Sequence, residues 1–412
     1  MTPEYNNRTT KWGGIQYRDS ILYSMGVGFY NNYVSATQHW LACFDLPSDK
    51  VKFKAHFYVP VGVVALSNGI LIGIDSSDSY HIYHWEHNFD CATYNLTFAI
   101  GPFDKVEMAY NSLPLVIYGK SELKSNIEQS FKYLPNMVEL YSTKFGNYPF
   151  EKVGFVLTPT GSMEHQTLIS IAEKLYKYMP DTLNLTAAHE LSHMWFGDCV
   201  TPYDFRDAWL NESFATFCEA LWEEYFLGHQ YYLDQLEFYR SYYISNNYGS
   251  RFEGVFPLYD YPREYPSSNY PLTIYYKGAV IVGMLRYELG DSIFFGALKE
   301  YISRRKYSNA NTDTLKSILE YYSNKDLTDF FNQWIYGKGW PKIQATVEKE
   351  GNICNIILHQ NQPKSWGSFK NVPIEFGFNT KNGEVIYKSV IFNEITESFK
   401  IDVGKDFYID KI

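Results

Sequence analysis

The stretch LTAAHELSHMWFGDCVTPYDFRDAWLNESFA, residues 185–215, contains two helical segments joined by a turn. The first segment carries His189 and His193 four positions apart, with Glu190 next to the first histidine. Residues four apart lie on one face of a helix, about 6 Å from each other, so both imidazoles can reach one metal ion. The flanking residues are apolar and indicate a largely buried helix: Leu185, Ala187, Ala188, Met194, Trp195 and Phe196.

A carboxylate in the second segment completes the pattern. Glu212 follows His193 after 18 intervening residues, and the turn at Val200–Arg206 lets the second helix fold back beside the first. Two neutral imidazoles and one carboxylate form an open zinc site that keeps a position for water. The alternative is that these are two ordinary core histidines and that the motif is a coincidence. The odds of a chance H-E-x-x-H in this chain are roughly one in a hundred. We therefore predict one zinc ion per chain, held by His189, His193 and Glu212.

The composition is that of a globular protein with more than one domain. A chain of 412 residues is too long for one ordinary hydrophobic core. A hydrophobic content of 45% is enough to form more than one core. A net charge of −10 without a basic stretch argues against nucleic acid as a partner. No apolar run is long enough to predict a transmembrane segment. The five cysteines are scattered and predict no disulfide framework, although one isolated disulfide stays open.

The pattern of secondary structure changes twice along the chain, which predicts an α+β protein with three domains. Residues 1–119 cluster β-branched and aromatic residues between turn-forming residues, as strands do. Residues 342–412 return to strand-like runs after the sequence GKGWP. Residues 120–341 show helical spacing, apart from a strand at Lys152–Leu157, and the predicted helices are Ser121–Phe145, Thr182–Gly197, Ala208–Leu227, Gln230–Ser245, Tyr276–Arg304, Thr312–Tyr322 and Leu327–Tyr336.

Four elements in order resemble peptidase family M1, the gluzincin aminopeptidases, whose members include membrane alanyl aminopeptidase and leukotriene A4 hydrolase. H-E-x-x-H is followed at the family's spacing by Asn211–Ala215 (NESFA). Gly161–His165 (GSMEH) resembles the family's G-x-M-E-N motif, and Tyr275–Gly278 (YYKG) resembles its Y-x-K-G motif. Trp40–Pro47 (WLACFDLP) is similar to a signature of the first domain. The resemblance runs across most of the chain and implies a β-rich N-terminal domain, a thermolysin-like, mainly α catalytic domain and a small C-terminal β-sandwich.

The resemblance implies a zinc aminopeptidase that hydrolyses N-terminal residues from peptides by metal-activated water. Zinc turns a bound water into a usable nucleophile near neutral pH. Glu190 is placed beside that water to act as general base. By resemblance, Tyr275 is the donor that stabilises the oxyanion. Tyr276 is the rival assignment, and core packing is the alternative for either tyrosine.

Other motif residues have roles in substrate binding by the same resemblance. Glu164 binds the free α-ammonium group of the peptide by a charge-assisted hydrogen bond. The backbone of Gly161, Ser162 and Met163 pairs with the substrate like an added strand. His165 replaces the family's usual asparagine, so amine recognition is expected to persist with different local hydrogen bonds. Glu219, two helical turns beyond Glu212, is expected to orient a ligand histidine, and a plain surface position is the alternative.

Two features depart from the family pattern. The family supplies a second amine-binding glutamine or glutamate upstream of Cys43, where the register reaches Tyr33 and the nearby Gln38 is out of register. That contact is therefore unassigned. The region before Lys120 is shorter than the family's first domain, so the sequence resembles a product truncated at its N-terminus. A missing start would remove any signal peptide, and the compartment stays open.

Three other functions compete with the aminopeptidase. A zinc endopeptidase on the same scaffold is disfavoured by Glu164, and no feature of the sequence supports an epoxide hydrolase. A non-catalytic peptide-binding relative would be expected to lose metal ligands or the base. This chain keeps the predicted metal ligands His189, His193 and Glu212, the base Glu190 and the oxyanion donor Tyr275. The sequence does not reveal which N-terminal residue is preferred, or the oligomeric state.

Overall fold

The computed structural model describes residues 13–30, 33–245, 250–262 and 269–408. The backbone divides into two compact units. The first comprises residues 1–254 and 258–326, and the second comprises residues 255–257 and 327–412. The first unit thus contains both the β-rich region and most of the helical region predicted from the sequence. The three-domain division with boundaries after residues 119 and 341 stays a prediction.

The N-terminal region is rich in β-structure, as predicted. Its sheets are antiparallel: one has the order β1-β2-β9-β6, another has the order β5-β8-β7, and β3 pairs with β4. The strands are β1 Gly14–Arg18, β2 Ile21–Met25, β3 Val27–Tyr30, β4 Tyr33–Ser35, β5 Lys50–Pro60, β6 Val64–Ser67, β7 Ile70–Ser76, β8 Tyr80–Ala92, β9 Phe98–Gly101, β10 Asp104–Tyr110 and β11 Leu113–Gly119.

A mixed sheet of order β10-β11-β12-β13 joins the β-rich and helical regions, where β12 is Val153–Thr158 and β13 is Ile169–Ala172. β12 pairs in parallel with both of its neighbours. Every residue of β12 and β13 is buried, which is typical of strands covered on both faces. At the far side of β13, Met163 forms an antiparallel bridge with Ser170. The bridge therefore holds the GSMEH motif beside the edge of the sheet.

Helices dominate the rest of the first unit. α4 is its central helix, because it packs against α3, α5 and α7 and is buried along most of its length. Two short parallel strands, β14 Val200–Pro202 and β15 Ser308–Ala310, and a π-helical turn at Thr273–Lys277 complete the unit. The helices are α1 Lys124–Ser130, α2 Leu134–Phe145, α3 Leu185–Ser192, α4 Trp209–Leu227, α5 His229–Ile244, α6 Ser250–Glu253, α7 Gly278–Leu289, α8 Asp291–Arg305 and α9 Thr312–Ser323.

Two predicted helices are interrupted in the structure. The segment Ser121–Phe145 contains α1 and α2, separated where Pro135 takes an early position in the second helix. The segment Tyr276–Arg304 contains the end of the π-helical turn, α7 and α8. The break between α7 and α8 is at Gly290, whose φ of 75° lies in the left-handed region that glycine adopts easily.

The helix with the two histidines is shorter than the predicted segment Thr182–Gly197. It begins after Asn184, whose side chain accepts a hydrogen bond from the Ala187 amide at 3.3 Å and caps the helix. The last regular residue is Ser192, so His193 stands directly after the helix. The chain then turns tightly, and the amide of Asp198 donates to the carbonyl of His193 at 3.0 Å.

The second unit is mostly β-structure. After α10 Thr328–Phe331 and a π-helical turn at Asn332–Tyr336, six strands form two antiparallel sheets of order β16-β17-β20 and β19-β18-β21. The strands are β16 Ile343–Glu350, β17 Ile353–Gln360, β18 Val372–Thr380, β19 Val385–Phe392, β20 Thr396–Asp402 and β21 Phe407–Tyr408. Apolar residues from both sheets form one buried cluster: Cys354, Ile356, Leu358, Phe378, Phe392, Ile401, Val403 and Phe407.

Within the ranges described above, no helix has the length and apolar character needed to cross a membrane.

Candidate metal and peptide-binding site

Two imidazoles and a carboxylate converge at one point between α3 and α4. The Nε2 atoms of His189 and His193 lie 3.4 Å and 3.5 Å from the same oxygen, Oε2 of Glu212. The three potential ligand atoms all lie within 4.8 Å of one another. Glu164, Glu190 and His193 form a second group that meets the same limit. The predicted metal ligands and two further acids thus share one small region.

The other nitrogen of each histidine is held by an acceptor. Nδ1 of His189 lies 2.7 Å from Oε1 of Glu219, and Nδ1 of His193 lies 3.0 Å from the carbonyl oxygen of Phe196. A histidine that donates through Nδ1 presents the lone pair of Nε2, which is the form that binds a metal. Both lone pairs then point towards Glu212. The donor set therefore fits a zinc ion.

The electric field at this point favours positive charge. Burial alone would lower the pKa of His189, but Glu212 and Glu219 outweigh that effect and raise it. Burial likewise opposes the shift in Glu212, yet the facing imidazoles of His189 and His193 lower its pKa to about 2. The shift favours the ionised form of Glu212, and a cation among these groups would be stabilised.

Glu190 is buried and lines the same cavity as the three predicted ligands. Burial raises the pKa of its carboxyl group to about 8, with Glu164 and Glu212 acting in the same direction and the two histidines opposing. A carboxylate whose pKa lies near neutrality accepts a proton more readily than an exposed one. The environment thus suits a group that exchanges protons.

Glu164 is fixed by a residue of the central helix. Its Oε1 accepts a hydrogen bond from Nδ2 of Asn211 at 2.9 Å, and both side chains are buried. Asn211 directly precedes Glu212 in α4. Two neighbouring residues of one helix therefore hold Glu164 and supply a potential metal ligand. Sequence reasoning missed Asn211, although its place inside the NESFA motif was a signal.

The GSMEH motif lies along the edge of β13. The amides of Met163 and Ser170 each donate to the other residue's carbonyl oxygen at 3.0 Å. The amide of Ala172 donates to Oγ of Ser162 at 3.2 Å. Gly161 has a φ of 75°, a conformation that side chains other than glycine rarely adopt. The motif's first three residues are thereby held beside Glu164.

His165, which departs from the family motif, has a defined structural role. Its Nε2 accepts a hydrogen bond from the amide of Gly26 at 3.2 Å, and its Nδ1 lies 3.0 Å from Oγ of Ser170. Burial lowers its pKa to about 3, so the ring is neutral. The histidine therefore joins the motif to the N-terminal β-region without adding charge near Glu164.

Tyr275 and Tyr276 have different surroundings. The Tyr275 ring centroid lies 6.3 Å from that of His189, and its hydroxyl donates to Oδ1 of Asn269 at 2.9 Å. Burial, and then the nearby glutamates, raise the pKa of Tyr275, so its hydroxyl keeps its proton and can donate. The Tyr276 ring instead stacks on Tyr239 of α5 at 4.8 Å. These contacts support Tyr275 as the residue directed at the metal ligands.

The π-helical turn that carries Tyr275 is pressed against α4. Oγ of Ser213 donates to the carbonyl of Ile274 at 2.6 Å. A Cβ atom on Gly278 would lie 1.8 Å from the same Oγ, so no larger residue fits there. The glycine of the YYKG motif is explained by this close approach of turn and helix.

These groups surround one cavity of about 490 Å³. All ten residues predicted from the sequence line it: Gly161, Ser162, Met163, Glu164, His189, Glu190, His193, Glu212, Glu219 and Tyr275. Val27 and Phe29 from the N-terminal region also line it, and nothing in their local sequence indicated this. Of the two upstream positions considered for a second amine contact, the Tyr33 side chain lies outside the described residues and Gln38 does not line the cavity. The second amine contact stays unassigned.

Comparison with known proteins agrees with this arrangement. The family model "Peptidase family M1 domain" matches residues 126–334, about half of the 412 residues. "Aminopeptidase M1-B" of Oryza sativa subsp. japonica is 29% identical over 355 residues, which cover 79% of this chain and 38% of that protein. "Probable aminopeptidase 2" of Sulfurisphaera tokodaii is 25% identical over 440 residues, which cover 98% of this chain and 54% of that protein. The chain therefore spans about two fifths to one half of the length of these relatives.

A solved structure has the same fold. The M1 zinc metallopeptidase from Deinococcus radiodurans matches with a TM-score of 0.66 and 24% sequence identity, over 80% of this chain and 72% of that one. The similarity supports the β-rich N-terminal region and the helical middle region described above. Taken with the family model and with the motifs gathered around one cavity, it leads to one conclusion: the chain belongs to peptidase family M1.

Proposed function

We propose that this chain is a zinc-dependent aminopeptidase that removes N-terminal residues from peptides. One observation carries the proposal: the Nε2 atoms of His189 and His193 converge on Glu212 in a cavity that also contains the buried Glu164. A metal site alone would suit many hydrolases. A second buried carboxylate beside it supplies a partner for a positively charged group. The curated relatives named above are aminopeptidases by name, which agrees with this proposal.

His189, His193 and Glu212 would hold one zinc ion per chain. The two imidazoles are oriented by Glu219 and the Phe196 carbonyl, and the negative charge of Glu212 would balance part of the charge of a cation. Zinc bound there supplies a Lewis acid that lowers the pKa of water and polarises a carbonyl group. The surface alternative for Glu219 is disfavoured by its contact with His189.

Glu190 would act as general base. It accepts the proton of the attacking water and passes it to the departing amine, and its raised pKa suits both transfers. The hydroxyl of Tyr275 would exchange its hydrogen bond with Asn269 for one to the carbonyl oxygen of the scissile bond as negative charge develops. We prefer Tyr275 to Tyr276 because the Tyr276 ring is packed against α5.

Glu164 would bind the α-ammonium group of the substrate. Asn211 occupies only one of its oxygens in the hydrogen bonds described, so the carboxylate can accept further donors. The segment Gly161–Met163 would pair with the peptide backbone, since it stands at the edge of β13. Recognition of a free terminus next to the metal site distinguishes an aminopeptidase from an endopeptidase.

The alternatives have less support. A non-catalytic peptide-binding protein has no need for the buried groups that orient His189 and His193. An endopeptidase or an epoxide hydrolase gives no role to Glu164 held beside the metal ligands. We also propose the finer architecture implied by the family: a β-rich N-terminal domain at residues 1–119, a thermolysin-like catalytic domain at 120–341 and a β-sandwich at 342–412. The two sheets of the second unit, with their common apolar cluster, support the sandwich.

The test is hydrolysis of one peptide offered with a free and with an acetylated N-terminus, followed by mass spectrometry on zinc-loaded protein. Stepwise trimming of the free peptide alone is the expected result. Cleavage of both peptides at internal bonds would replace the aminopeptidase by an endopeptidase. Binding without cleavage of either peptide would favour the non-catalytic alternative.

A further inference from the structure

The cavity carries opposite charges in different parts. Its lining in the described chain includes four glutamates, Glu164, Glu190, Glu212 and Glu219, and a single lysine or arginine residue, Lys174. The glutamates lie around the metal site and the proposed amine position. Lys174 lies outside the motifs shared with the family, and the proposed mechanism does not use it.

The pairing of β13 shows where Lys174 lies along the cavity. Met163 and Ser170 are antiparallel partners, so the chain after Ser170 runs past Ser162 and Gly161, away from Glu164. The hydrogen bond from the Ala172 amide to Ser162 Oγ agrees with that direction. Lys174 stands two residues further along, in the short turn Glu173–Leu175 that follows β13. Glu164 and Lys174 are thus at opposite ends of Gly161–Met163, the GSM segment.

The separation of the two ends matches a short peptide. Glu164 is three positions along the chain from Gly161, and an extended chain rises about 3.3 Å per residue, so these two residues are at most roughly 10 Å apart. An extended tripeptide places its terminal amine and its terminal carboxylate about the same distance apart. A tripeptide whose amine meets Glu164 therefore brings its carboxylate towards Lys174.

Among the residues that the structure describes, none forms an ion pair with the ammonium group of Lys174. The neighbouring carboxylate of Glu173 is paired with Lys120, at 3.1 Å. Across the described ranges, no hydrogen bond or ion pair joins Lys174 to another side chain, and the residue is exposed. A flexible lysine with a free charge at the mouth of an acidic cavity is suited to bind an anionic group of a ligand.

We propose that Lys174 binds a carboxylate of the substrate and so determines specificity for short peptides. The C-terminal carboxylate of a tripeptide is the most direct source of that group. An acidic side chain at the third position of a longer peptide supplies the same chemistry. The assignment rests on the proposed aminopeptidase function, because that function fixes the amine end of the substrate at Glu164. An exposed ion pair favours the anionic substrate by about three- to fivefold.

The first test compares Ala-Ala-Ala as the free acid and as the C-terminal amide, using the zinc-loaded full chain. The measured quantity is the acid-to-amide ratio of kcat/KM. Wild type and Lys174→Arg should prefer the acid by about three- to fivefold, and Lys174→Met should show a ratio near one. Lys177→Met is the matched control, because Lys177 is exposed on the same segment but does not line the cavity. An unchanged ratio in Lys174→Met would overturn the assignment.

A second pair of substrates identifies the source of the carboxylate. Ala-Ala-Glu-Ala-Ala amide and Ala-Ala-Gln-Ala-Ala amide differ only in the charge at the third position. If the Lys174-dependent preference appears with this pair and not with the tripeptides, an acidic side chain is the ligand and the C-terminal assignment is wrong. Higher ionic strength should reduce whichever preference is found.

Binding to Glu190→Gln separates this proposal from the proposed function. The variant keeps the cavity and allows dissociation constants of the tripeptide acid and amide to be measured without turnover. Failure of the wild type to cut any free peptide would overturn the aminopeptidase, while tighter binding of the acid would still support Lys174. Equal dissociation constants for the tripeptide acid and amide would overturn the C-terminal assignment, and equal constants for the Glu and Gln pentapeptides as well would overturn the role of Lys174, whatever the activity.

Discussion

At the scale of single residues, the site is organised around buried carboxylates with named partners. Glu164 is held by Asn211, and Glu212 faces both imidazoles. Glu219 bridges Nδ1 of His189 and the hydroxyl of Tyr239, each at 2.7 Å. Buried charge is costly unless it is paired, so these contacts explain how several acids coexist in one cavity.

Replacing Glu190 by glutamine should retain zinc and reduce kcat by about 10²- to 10⁴-fold, because the amide cannot accept the proton. Metal content and peptide hydrolysis are measured on the same preparation. Glu128→Gln, an exposed change in α1, is the control and should leave both zinc content and peptide hydrolysis at the wild-type level. Near-normal turnover by Glu190→Gln would refute the base assignment.

Removing the hydroxyl of Tyr275 should lower kcat by about 10²- to 10³-fold with little change in KM, because an oxyanion donor acts mainly in the transition state. Tyr276→Phe is the matched comparison and should leave kcat close to that of wild type. If Tyr276→Phe shows the large loss instead, the two roles must be exchanged.

Weakening the hydrogen bond between Nδ1 of His189 and Glu219 should reduce the affinity for zinc. Glu219→Gln is expected to lower it by about 10- to 100-fold, and Tyr239→Phe by a smaller factor, because Tyr239 acts through Glu219. Competition with a chelator measures the affinity without reference to activity. Tyr231→Phe, an exposed change in the same helix as Tyr239, is the control. Unchanged affinity in Glu219→Gln would contradict the orienting role.

Sequence reasoning identified residues that belong to spaced motifs and missed those that reach the site only through folding. His189, His193 and Glu212 are recognisable because helical geometry and donor chemistry restrict their spacing. Tyr239 and Lys174 carry no such signature. Tyr239 meets Glu219 because α5 packs against α4, and Lys174 reaches the cavity because of the register between β13 and the GSM segment.

At the scale of elements, α4 organises the site. Four of its residues serve different parts: Asn211 holds Glu164, Glu212 faces the histidines, Ser213 binds the turn that carries Tyr275, and Glu219 orients His189. A buried helix is a rigid support, so groups placed on it keep their mutual positions.

The contact between α4 and the π-helical turn can be tested by packing. Gly278→Ala should destabilise the protein by about 1–3 kcal/mol, because the added methyl group overlaps Ser213. Denaturant unfolding measures the loss. In the double variant Ser213→Gly/Gly278→Ala the overlap is removed, and the combined loss should be smaller than the sum of the single losses. Additive losses would show that the overlap is not the cause.

Secondary-structure type was largely predictable, and boundaries were less so. Clusters of β-branched and aromatic residues predicted the β-rich N-terminal region, and helical spacing predicted α4 and α5. The breaks within predicted helices have local causes that periodicity does not register. At Gly290 the backbone needs a positive φ, and after Ser192 the chain leaves the helix while its sequence stays apolar.

At the scale of the whole molecule, the metal site belongs to one of two compact units. Chelation of zinc should therefore loosen the first unit and spare the second, because a ligand stabilises the structure that binds it. Hydrogen exchange followed by mass spectrometry should show faster exchange in α3 and α4, with β17 and β18 unchanged. Equal loss of protection in the strands would contradict this view of the two units.

Asn211 and Glu212 are adjacent in the chain, and this would help to set the distance between the bound amine and the bond that the proposed enzyme cuts. Consecutive Cα atoms lie about 3.8 Å apart whatever the rest of the fold does. One of these neighbours sets the position of the terminal amine, through Glu164, and the other sets the position of the bond that is cut. In the proposed aminopeptidase, removal of one residue per cycle would thus depend on the fixed spacing of two adjacent residues of α4. Loops elsewhere can vary the choice of residue removed without altering how many are removed.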